Sequence, residues 1–536
     1  MKKQSICVTM SIMTMMMITL CLCCLSGTLN AQATLKERAQ NISKQEVQSV
    51  LEFLSDDLLE GRAPGTRGGN IAELYVKSLF KWMDLKPAIG NDYFQPFTLK
   101  GFKINTLNIE ANGVTLNYID DVVGAWVGNN DQFELTGDAV FVGFGITTPI
   151  WNWNDYKNVD VKNKIVIARV NDPGMFNDKI FEGKTLTYFG RWTYHIEEAA
   201  RRGAAGILLI HTDESAGYDW NVVKNSWCKE EVFLESDLQN NLKFRGWIRE
   251  SSLKKILDSK KIDLNSLYEK SKKANFQPVP LGLTVKVSGT TSHRDLKNNN
   301  VIAEIPGKSP KTIVISAHID HLGMRVDAEG NHIFNGAIDN ASAVSSMMVT
   351  AKILKEFQKD LYYTVVVLAC EAEEAGLLGS KYYVQTHPDR SRIIANINFE
   401  STPVWGKTSD FMAVGGEYST LEDMVKTVLP QEGLTYTYFS MANLGLFYRS
   451  DQYPFARYNI PAILISAGEN DDSGQHKLPV FWKTDYHSVR DRFDPQWPLE
   501  GMKQTATVTL RLIDHLNQTQ AVPQWKRPLT FPLETK

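Results

Sequence analysis

Cysteine is scarce in this chain, and its distribution excludes a fold held together by a disulfide framework. Of six cysteines in 536 residues, four fall within the first 24 positions. Only Cys228 and Cys370 remain, whereas a disulfide framework needs several cysteines at regular spacing. They can pair only if the fold brings them together, and we expect two free, mostly buried thiols.

The chain also lacks a charge excess, internal repeats and low-complexity segments. Its formal net charge is −3, with 43% apolar and 22% charged residues. A net charge this near zero argues against a nucleic-acid-binding protein. The composition is that of a globular protein with large cores, and 536 residues predict two or three units.

One long apolar run is present, and it lies at the N-terminus. Lys2 and Lys3 precede an apolar stretch at residues 12–25, and Ala31-Gln32-Ala33 has small residues at the spacing of a cleavage site. The pattern predicts a secretory signal peptide, residues 1–33, and a periplasmic or extracellular protein. An uncleaved membrane anchor is the alternative. No later run is apolar enough to span a bilayer, so no membrane association is expected after cleavage.

The pattern of apolar and polar residues changes twice in the first half of the remaining chain. Residues 35–85 follow helical spacing, with Ser43 as a predicted helix cap, and residues 94–135 alternate apolar and polar residues as strands do. From Asp138 to about residue 285, short apolar strands alternate with helices. This stretch has no cluster of possible ligands at its strand ends and predicts a separate unit.

From Asn300 the pattern becomes strand then helix, repeatedly, which predicts an α/β fold with a mostly parallel or mixed sheet flanked by helices. Active sites in such sheets lie beyond the carboxyl ends of the strands. The predicted strands are Val301–Ile305, Thr312–Ser316, Tyr363–Ala369, Ile393–Asn398, Phe411–Val414 and Ala462–Ser466, and the predicted helices are Ala341–Phe357, Leu377–Gln385, Thr420–Leu429 and Leu499–Leu516.

Histidines and carboxylates follow several of these strands or begin the next helix. Taken singly, each has an ordinary interpretation, such as a helix cap or a solvated acidic turn. Taken together, they predict a metal pocket, and histidine and carboxylate ligands without cysteine suit zinc, although other divalent metals use the same ligand types. The stretches are His318-Ile319-Asp320-His321, Asp339-Asn340, Glu373-Glu374, Asn398-Phe399-Glu400 and Tyr486-His487.

These motifs, in this order, resemble those of the M28 family of co-catalytic zinc peptidases of the aminopeptidase type. Residues 138–285 resemble the protease-associated (PA) domain that many of these enzymes carry as an insert. The resemblance implies a zinc exopeptidase fold of the phosphorylase/hydrolase-like kind. Residues 34–137 would be the N-terminal part of the peptidase unit, and residues 286–536 would be the M28 catalytic domain.

The resemblance also implies two Zn²⁺ ions and identifies the residues that would bind each ion. His318 and Glu400 would bind one zinc, Glu374 and His487 would bind the other, and Asp339 would bridge both. The peptide bond between Asp339 and Asn340 would be cis, as is typical of the family.

Further roles follow from the same resemblance. Glu373 would be the general base that takes a proton from a zinc-bound water, and Tyr486 would donate to the oxyanion. Asp320 would orient His318 from behind. His321 is expected to be a structural residue beside the metals rather than a ligand.

The sequence departs from the family pattern in three places. Glu400 stands where aspartate is commoner, and its longer side chain can still reach a metal. Gln452 stands where histidine is usual, which puts tuning or substrate contact in doubt rather than the metals. The segment after His487 lacks the usual proline.

The implied activity is hydrolysis of N-terminal residues from peptides, and three alternatives stay open. A carboxypeptidase or dipeptidase on the same scaffold would need a cationic pocket, a single-zinc glutaminyl cyclase-like enzyme would need one metal, and a non-catalytic binding protein would use the PA domain alone. Candidate cations for the pocket are Arg62, Arg67, Arg449 and Arg457. The aromatic residues that either overhang the cleft or pack the insert's own core are Trp151, Trp153, Tyr188, Trp192 and Tyr194.

Overall fold

The structure is a computed structural model that describes residues 33–238, 242–327, 330–526 and 528–534. The predicted signal peptide, residues 1–33, lies outside the described residues except for Ala33. Within the described ranges, none of the helices combines the length and apolar character that crossing a bilayer demands. The two described cysteines are free, as expected: Cys370 is buried and Cys228 is partly buried.

The strands and helices alternate through most of the chain. The strands are β1 Lys86–Pro87, β2 Phe94–Ala111, β3 Val114–Leu116, β4 Val122–Trp126, β5 Gln132–Phe141, β6 Thr147–Thr148, β7 Trp153–Asn154, β8 Ile165–Arg169, β9 Gly206–His211, β10 Glu231–Leu234, β11 Phe244–Arg249, β12 Val279–Ile305, β13 Ser309–His318, β14 Gly323–Asp327, β15 Gly330–Phe334, β16 Tyr363–Cys370, β17 Ile393–Phe399, β18 Asp410–Val414, β19 Thr435–Thr437 and β20 Ala462–Ala467.

The α-helices are α1 Leu35–Gln40, α2 Lys44–Leu54, α3 Arg67–Trp82, α4 Trp192–Arg201, α5 Asp213–Ala216, α6 Trp220–Trp227, α7 Glu235–Leu238, α8 Glu250–Asp258, α9 Leu264–Ser271, α10 Ala343–Glu356, α11 Leu378–Thr386, α12 Leu421–Val428, α13 Gln452–Arg457, α14 Lys477–Thr484 and α15 Glu500–Thr519. Ser43 caps α2 as predicted, since its hydroxyl accepts the N–H of Glu46 while the Glu46 carboxylate accepts the N–H of Ser43.

One sheet runs through the whole molecule. Its strand order is β19-β18-β20-β17-β13-β16-β12-β5-β8-β9-β11-β4. Strands β16, β13, β17 and β20 are parallel neighbours, whereas β12 runs antiparallel to β16 and β18 runs antiparallel to β20. The predicted mixed α/β sheet flanked by helices is confirmed.

Two units share this sheet, and the long strand β12 joins them. Apolar clusters built from residues 104–287 form a core of their own. We call this part the insert, and we call residues 33–103 and 288–534 the main unit. The cores of the insert also take in side chains from β2, β3 and β4, which lie before residue 138, because β2 pairs with β12 and β4 pairs with β11. The bounds of 138–285 therefore leave out strands that the insert uses.

The N-terminal helices pack on the main unit. Val47, Leu51 and Val76 lie in the same apolar cluster as the buried face of α10 and the strand β13. The hydroxyl of Ser345 on α10 donates to the carbonyl of Val47 on α2. These contacts pack α2 and α3 into the apolar core beside α10 and β13.

Candidate active site

The predicted metal ligands come together because three neighbouring parallel strands end at one edge of the sheet. His318 is the last residue of β13, Glu371 follows β16, and Glu400 follows β17. Ser316 on β13 pairs with Asn398 on β17, so His318 stands level with Glu400. Parallel strands bring their carboxyl ends to the same edge, as the sequence analysis assumed.

The first group surrounds His318. Its Nε2 atom lies 3.3 Å from Asp339 Oδ1 and 3.5 Å from Glu400 Oε2. The Oε2 atom of Glu373 is slightly farther away, at 3.9 Å. All of these side chains are buried.

The second group surrounds His487. Its Nε2 atom lies 3.0 Å from Glu374 Oε2 and 3.4 Å from Asp339 Oδ2. The two oxygens of Asp339 therefore face different histidines, one in each group. The structure thus brings together all five residues that the sequence analysis named as ligands.

His321 lies closer to this centre than the sequence analysis expected. Its Nδ1 atom is 2.7 Å from Glu374 Oε1 and 4.0 Å from Asp339 Oδ2, and the side chain is fully buried. With Asp339 and Glu374 it forms a set of donor atoms close enough to hold a metal, and His318, Glu373 and Glu400 form another. His321 thus contacts the Glu374 carboxylate, which His487 also contacts.

Buried carboxylates outnumber buried histidines here, and the electrostatics reflect that excess. Burial disfavours a charge on His318, but Glu400 and Glu373 outweigh it and raise the pKa of the imidazole well above its usual value. Burial raises the pKa of the Glu373 carboxyl well above its ordinary range. Burial and Glu374 would likewise raise the pKa of Asp339, yet the close imidazoles of His318 and His487 hold that pKa below normal.

The donor set fits divalent metal ions. Imidazole nitrogens and carboxylate oxygens are ligands that zinc uses in proteins, and a surplus of buried negative charge favours cations. His487 Nε2 is buried and forms no hydrogen bond within the described part of the chain. A ring nitrogen that faces two carboxylates without a hydrogen bond can direct its lone pair at a cation held among them.

Several buried groups hold these ligands in place. The carboxylate of Asp491 accepts the backbone N–H groups of Ile338 and Asp339, and the hydroxyl of Ser450 donates to Glu400 Oε2. The peptide bond between Asp339 and Asn340 is cis, as the resemblance implied. Asp339 is thus fixed through its backbone as well as its side chain.

Asp320 supports the site differently from the prediction. The Nδ1 atom of His318 lies 3.1 Å from the backbone carbonyl of Asp320, whereas the nearer carboxylate oxygen is 3.7 Å away. That carboxylate instead accepts the backbone N–H groups of Glu373 and Glu374, at 3.0 and 3.2 Å. Asp320 orients His318 with its main chain and fixes the two adjacent glutamates with its side chain.

Gly336, just before the Asp339 turn, is required by close packing. Its φ is +57°, a left-handed conformation that other residues rarely adopt. A Cβ atom there would lie 2.2 Å from the carbonyl oxygen of Asp339 and 2.6 Å from the His321 ring. A side chain at this position would displace Asp339.

A cavity of about 210 Å³ opens beside the second group, between the main unit and the insert. The main unit lines it with Glu373, Glu374, Arg449, Tyr486 and His487. The insert lines the opposite wall through α4, α6 and the residues just before α4 and α6, including Tyr188, Arg191, Trp192, Tyr218, Ser226 and Trp227. The predicted base and oxyanion donor therefore face a space that a short peptide segment can enter.

The arginines proposed as a cationic pocket fall into separate places. Arg62 is fully buried and donates to backbone carbonyls, among them those of Ile319 and Gly336, so it braces the loops that carry His318 and Asp339. Arg67 is exposed and does not line the cavity. These two candidates therefore do not line the cavity, because their places depend on how the N-terminal helices pack.

Arg449 and Arg457 do line the cavity, and so does Arg191, which the sequence analysis did not name. Arg449 donates to the Tyr486 hydroxyl at 3.3 Å. Burial and the neighbouring Arg449 lower the pKa of Arg191 to about 10, and its Nε atom has no hydrogen-bond partner among the described residues. This part of the wall is cationic.

The five insert aromatics divide between the cavity wall and an apolar cluster that the insert shares with the main unit. Tyr188 and Trp192 line the cavity. Trp153 and Tyr194 are buried, and Trp151 stacks on Phe181 with ring centroids 5.4 Å apart. Tyr188 belongs to both the cavity wall and the shared cluster, so this aromatic stretch also packs the insert against the main unit.

Gln452 has a structural role. Its side-chain amide donates to the carbonyls of Leu446 and Phe447, and its carbonyl accepts from Asn398. Fully buried, it does not line the cavity. The Gln452 amide nitrogen makes both donations, whereas each ring nitrogen of a histidine carries at most one N–H. Glutamine in place of histidine therefore changes the hydrogen bonds behind Glu400.

Two residues of the insert touch the candidate metal ligands without any signal in the sequence. Ser226 Oγ lies 3.0 Å from His487 Nδ1, and Asn225 Nδ2 donates to the His487 carbonyl at 3.1 Å. More than 250 residues separate these partners along the chain. Only the docking of the insert reveals the contact.

A mixed α/β sheet with histidines and carboxylates gathered at its carboxyl edge, beside a cavity, defines a metal-dependent hydrolase. Residues 300–513 match the family model described as peptidase family M28. The matched part of the chain is thus similar to peptidase family M28, and it contains every residue of the two groups.

Relatives of this chain include named aminopeptidases. It is 25% identical over 234 residues to aminopeptidase YwaD of Bacillus subtilis (strain 168), and the match covers 43% of this chain and 45% of that protein. The chain thus spans less than half of this curated relative. The structure of an aminopeptidase from Aneurinibacillus sp. strain AM-1 superimposes with a TM-score of 0.53 at 15% identity, covering 94% of this chain and 100% of that one, which shows a shared fold.

Proposed function

We propose that this protein is an exported dizinc aminopeptidase that removes N-terminal residues from peptides. The observation that carries the proposal is the placement of Asp339. Its Oδ1 atom faces His318 and its Oδ2 atom faces His487, at 3.3 and 3.4 Å. One carboxylate between two ligand groups is suited to hold two cations close together and to offset their repulsion.

The ligand assignment follows from these contacts. His318 and Glu400 would hold one zinc, Glu374 and His487 would hold the other, and Asp339 would bridge them. Zinc bound there would act as a Lewis acid and lower the pKa of a water from 15.7 to about 7.

Glu373 is the proton carrier in this proposal. It lines the cavity next to the ligand Glu374, and Asp320 fixes the backbone of both residues. Adjacent side chains diverge, so Glu374 turns toward His487 while Glu373 faces the cavity. In that place Glu373 can take a proton from the attacking water and return it to the leaving amine.

Tyr486 is the oxyanion donor. Its hydroxyl lies on the cavity wall and accepts a hydrogen bond from Arg449. An accepted hydrogen bond from a cation makes the phenol O–H a stronger donor to a developing negative charge.

Acidic side chains of the cavity favour recognition of a free amine. Beyond Glu373 and Glu374, the lining includes Glu197, and also Glu231 and Glu534, which pair with Arg245 and Arg457. A protonated peptide N-terminus gains from carboxylates in a partly buried space.

Metal content and substrate choice test the proposal together. N-terminal sequencing of the purified mature protein is expected to begin at Thr34. The same protein is expected to contain two zinc ions per chain. It should cleave Leu-, Ala- or Lys-anilides and leave the N-acetylated forms intact. Equal cleavage of blocked and free substrates would contradict aminopeptidase action, and one tightly bound zinc would favour a glutaminyl cyclase-like enzyme.

A dipeptidase or carboxypeptidase is the second candidate, because Arg191 and Arg449 form a cationic wall in the cavity. Guanidinium groups pair well with a peptide C-terminal carboxylate. Leu-Gly, its C-terminal amide and N-acetyl-Leu-Gly separate the cases. Cleavage lost on amidation but kept on acetylation would establish a carboxypeptidase, and cleavage lost on both changes would establish a dipeptidase; either result would exclude the first candidate.

A further inference from the structure

The insert touches the candidate metal centre at the C-terminal end of α6. There the Ser226 hydroxyl meets Nδ1 of His487 at 3.0 Å, and the Asn225 side-chain amide donates to the His487 carbonyl at 3.1 Å. One residue of the main unit is thus held at both its ring and its backbone by neighbouring residues of the insert.

The ring contact bears on metal binding. His487 directs Nε2 toward Glu374 and Asp339. A histidine that binds a metal through Nε2 carries its proton on Nδ1, and the acceptor for that proton fixes the tautomer and the ring orientation. Among the described residues, Ser226 is the hydrogen-bond partner of Nδ1.

The backbone contact is made to a residue in an uncommon conformation. His487 has a φ of +54°, a left-handed conformation that is uncommon for a residue with a side chain. Arg325, on β14 of the main unit, donates to the Asn225 side-chain carbonyl and so turns the Asn225 amide toward His487. The Tyr486 ring also stacks on the His487 ring, with centroids 3.8 Å apart.

Helix α6 is itself firmly part of the insert. Trp220, Val223 and Trp227 are buried in the insert's core. The Trp227 ring packs against Trp192 and Trp247, with centroids 5.4 and 6.3 Å away. Ser226 and Asn225 therefore move only as the insert moves against the main unit.

We propose that Ser226 and Asn225 are positioning residues for His487, so that the inserted unit completes the second metal position. His318 and Glu400 have no such contact with the insert within the described residues. The two metal positions then differ: one is built by the main unit alone, and the other needs the insert docked. This inference rests on the proposed two-metal site but not on the choice of substrate.

Zinc affinity of the metal-free protein tests the proposal. The apoprotein is titrated with Zn²⁺ against a chelator of known affinity, for the wild type and for Ser226→Ala. Loss of an outer hydrogen-bond partner of a metal-binding histidine costs roughly 10–100-fold in metal affinity. We expect that loss of affinity in one of the two zinc dissociation constants, with the other dissociation constant unchanged.

Two further variants separate positioning from general damage. Ser226→Thr retains the hydroxyl and should restore both constants. Ser251→Ala makes the same change at an exposed serine of the insert and should leave both constants unchanged. The thermal unfolding of the zinc-free protein should be the same for the wild type and Ser226→Ala.

The outcomes are distinct. If both zinc constants survive in Ser226→Ala, or if both fall together with the unfolding temperature, the positioning role is refuted. If the wild type binds fewer than two zinc ions, the proposed function fails first.

Discussion

Glu373 and Glu374 are neighbours in sequence with different surroundings. Glu374 contacts His487 and His321, whereas Glu373 lines the cavity at 3.9 Å from the His318 ring. The different contacts give adjacent carboxylates different expected roles, one holding a metal and one moving a proton.

Substitution of the proposed base provides the sharpest test at the residue scale. Glu373→Gln keeps the size of the side chain and removes the proton acceptor, so kcat should fall roughly 10²–10⁴-fold. Zinc content, measured on the same preparation, should remain that of the wild type. Glu110→Gln, the same change at an exposed glutamate outside the cavity, should retain activity. A fully active Glu373→Gln would refute the assignment.

His195 in α4 makes stability depend on pH. Burial lowers the pKa of this imidazole to about 3, from an ordinary value of 6.5. The unfolded chain binds a proton below pH 6.5 and the folded chain does not. The contribution of neutral His195 to the free energy of unfolding is therefore fully present above pH 6.5. It decreases as the pH falls toward 3, by about 1.4 kcal/mol per pH unit.

His195→Gln should remove that part of the pH dependence. Between pH 6.5 and 5, the wild type should lose about 2 kcal/mol more unfolding free energy than the variant. Urea unfolding at each pH measures the difference, and a constant packing cost cancels in it. His293→Gln, at an exposed histidine, serves as the control and should keep the wild-type slope. Identical slopes in wild type and His195→Gln would show that His195 becomes charged in the fold.

At the scale of elements, the pair β2–β12 joins the two units. The pairing register shifts between Thr290 and Thr291 on β12. Gly289 lies beside this irregularity, and a Cβ atom there would be 2.0 Å from the carbonyl oxygen of Thr106 on β2. The strand can pass this point only without a side chain.

Gly289→Ala should therefore force the two strands apart. Such overpacking costs about 1–3 kcal/mol, seen as a lower midpoint of thermal unfolding. Ser288→Ala, at the adjacent and partly exposed position, should have little effect. A wild-type midpoint for Gly289→Ala would mean that the ladder adjusts at no cost.

The strands of the main unit were predictable because their signal is local. Apolar runs such as Tyr363–Ala369 become the buried β16, and a strand's end fixes where the next polar residue emerges. The position of Glu400 after β17 follows the same logic. The residue at which the insert's core begins was not predictable. Strands β2 and β4 join this core by pairing with β12 and β11, which lie far along the chain.

At the scale of the whole molecule, the cavity exists only where two units meet. Its walls come from α4 and α6 of the insert and from loops of the main unit. The peptide-sized space, its cationic wall and the contact from Ser226 to His487 all depend on that docking. A motion of the insert would change the cavity and the histidine together.

The sequence by itself determined the sheet, its strand ends and the set of histidines and carboxylates that gather there, since hydrophobic periodicity and parallel pairing place those residues at one edge. Tertiary structure alone decided the rest. It buried Arg62 among carbonyls, turned the side chain of Asp320 toward the backbone of Glu373, and set Ser226 against His487. The physical reason is that such polar contacts join segments remote in sequence, and their partners are fixed only when the cores of both units have packed.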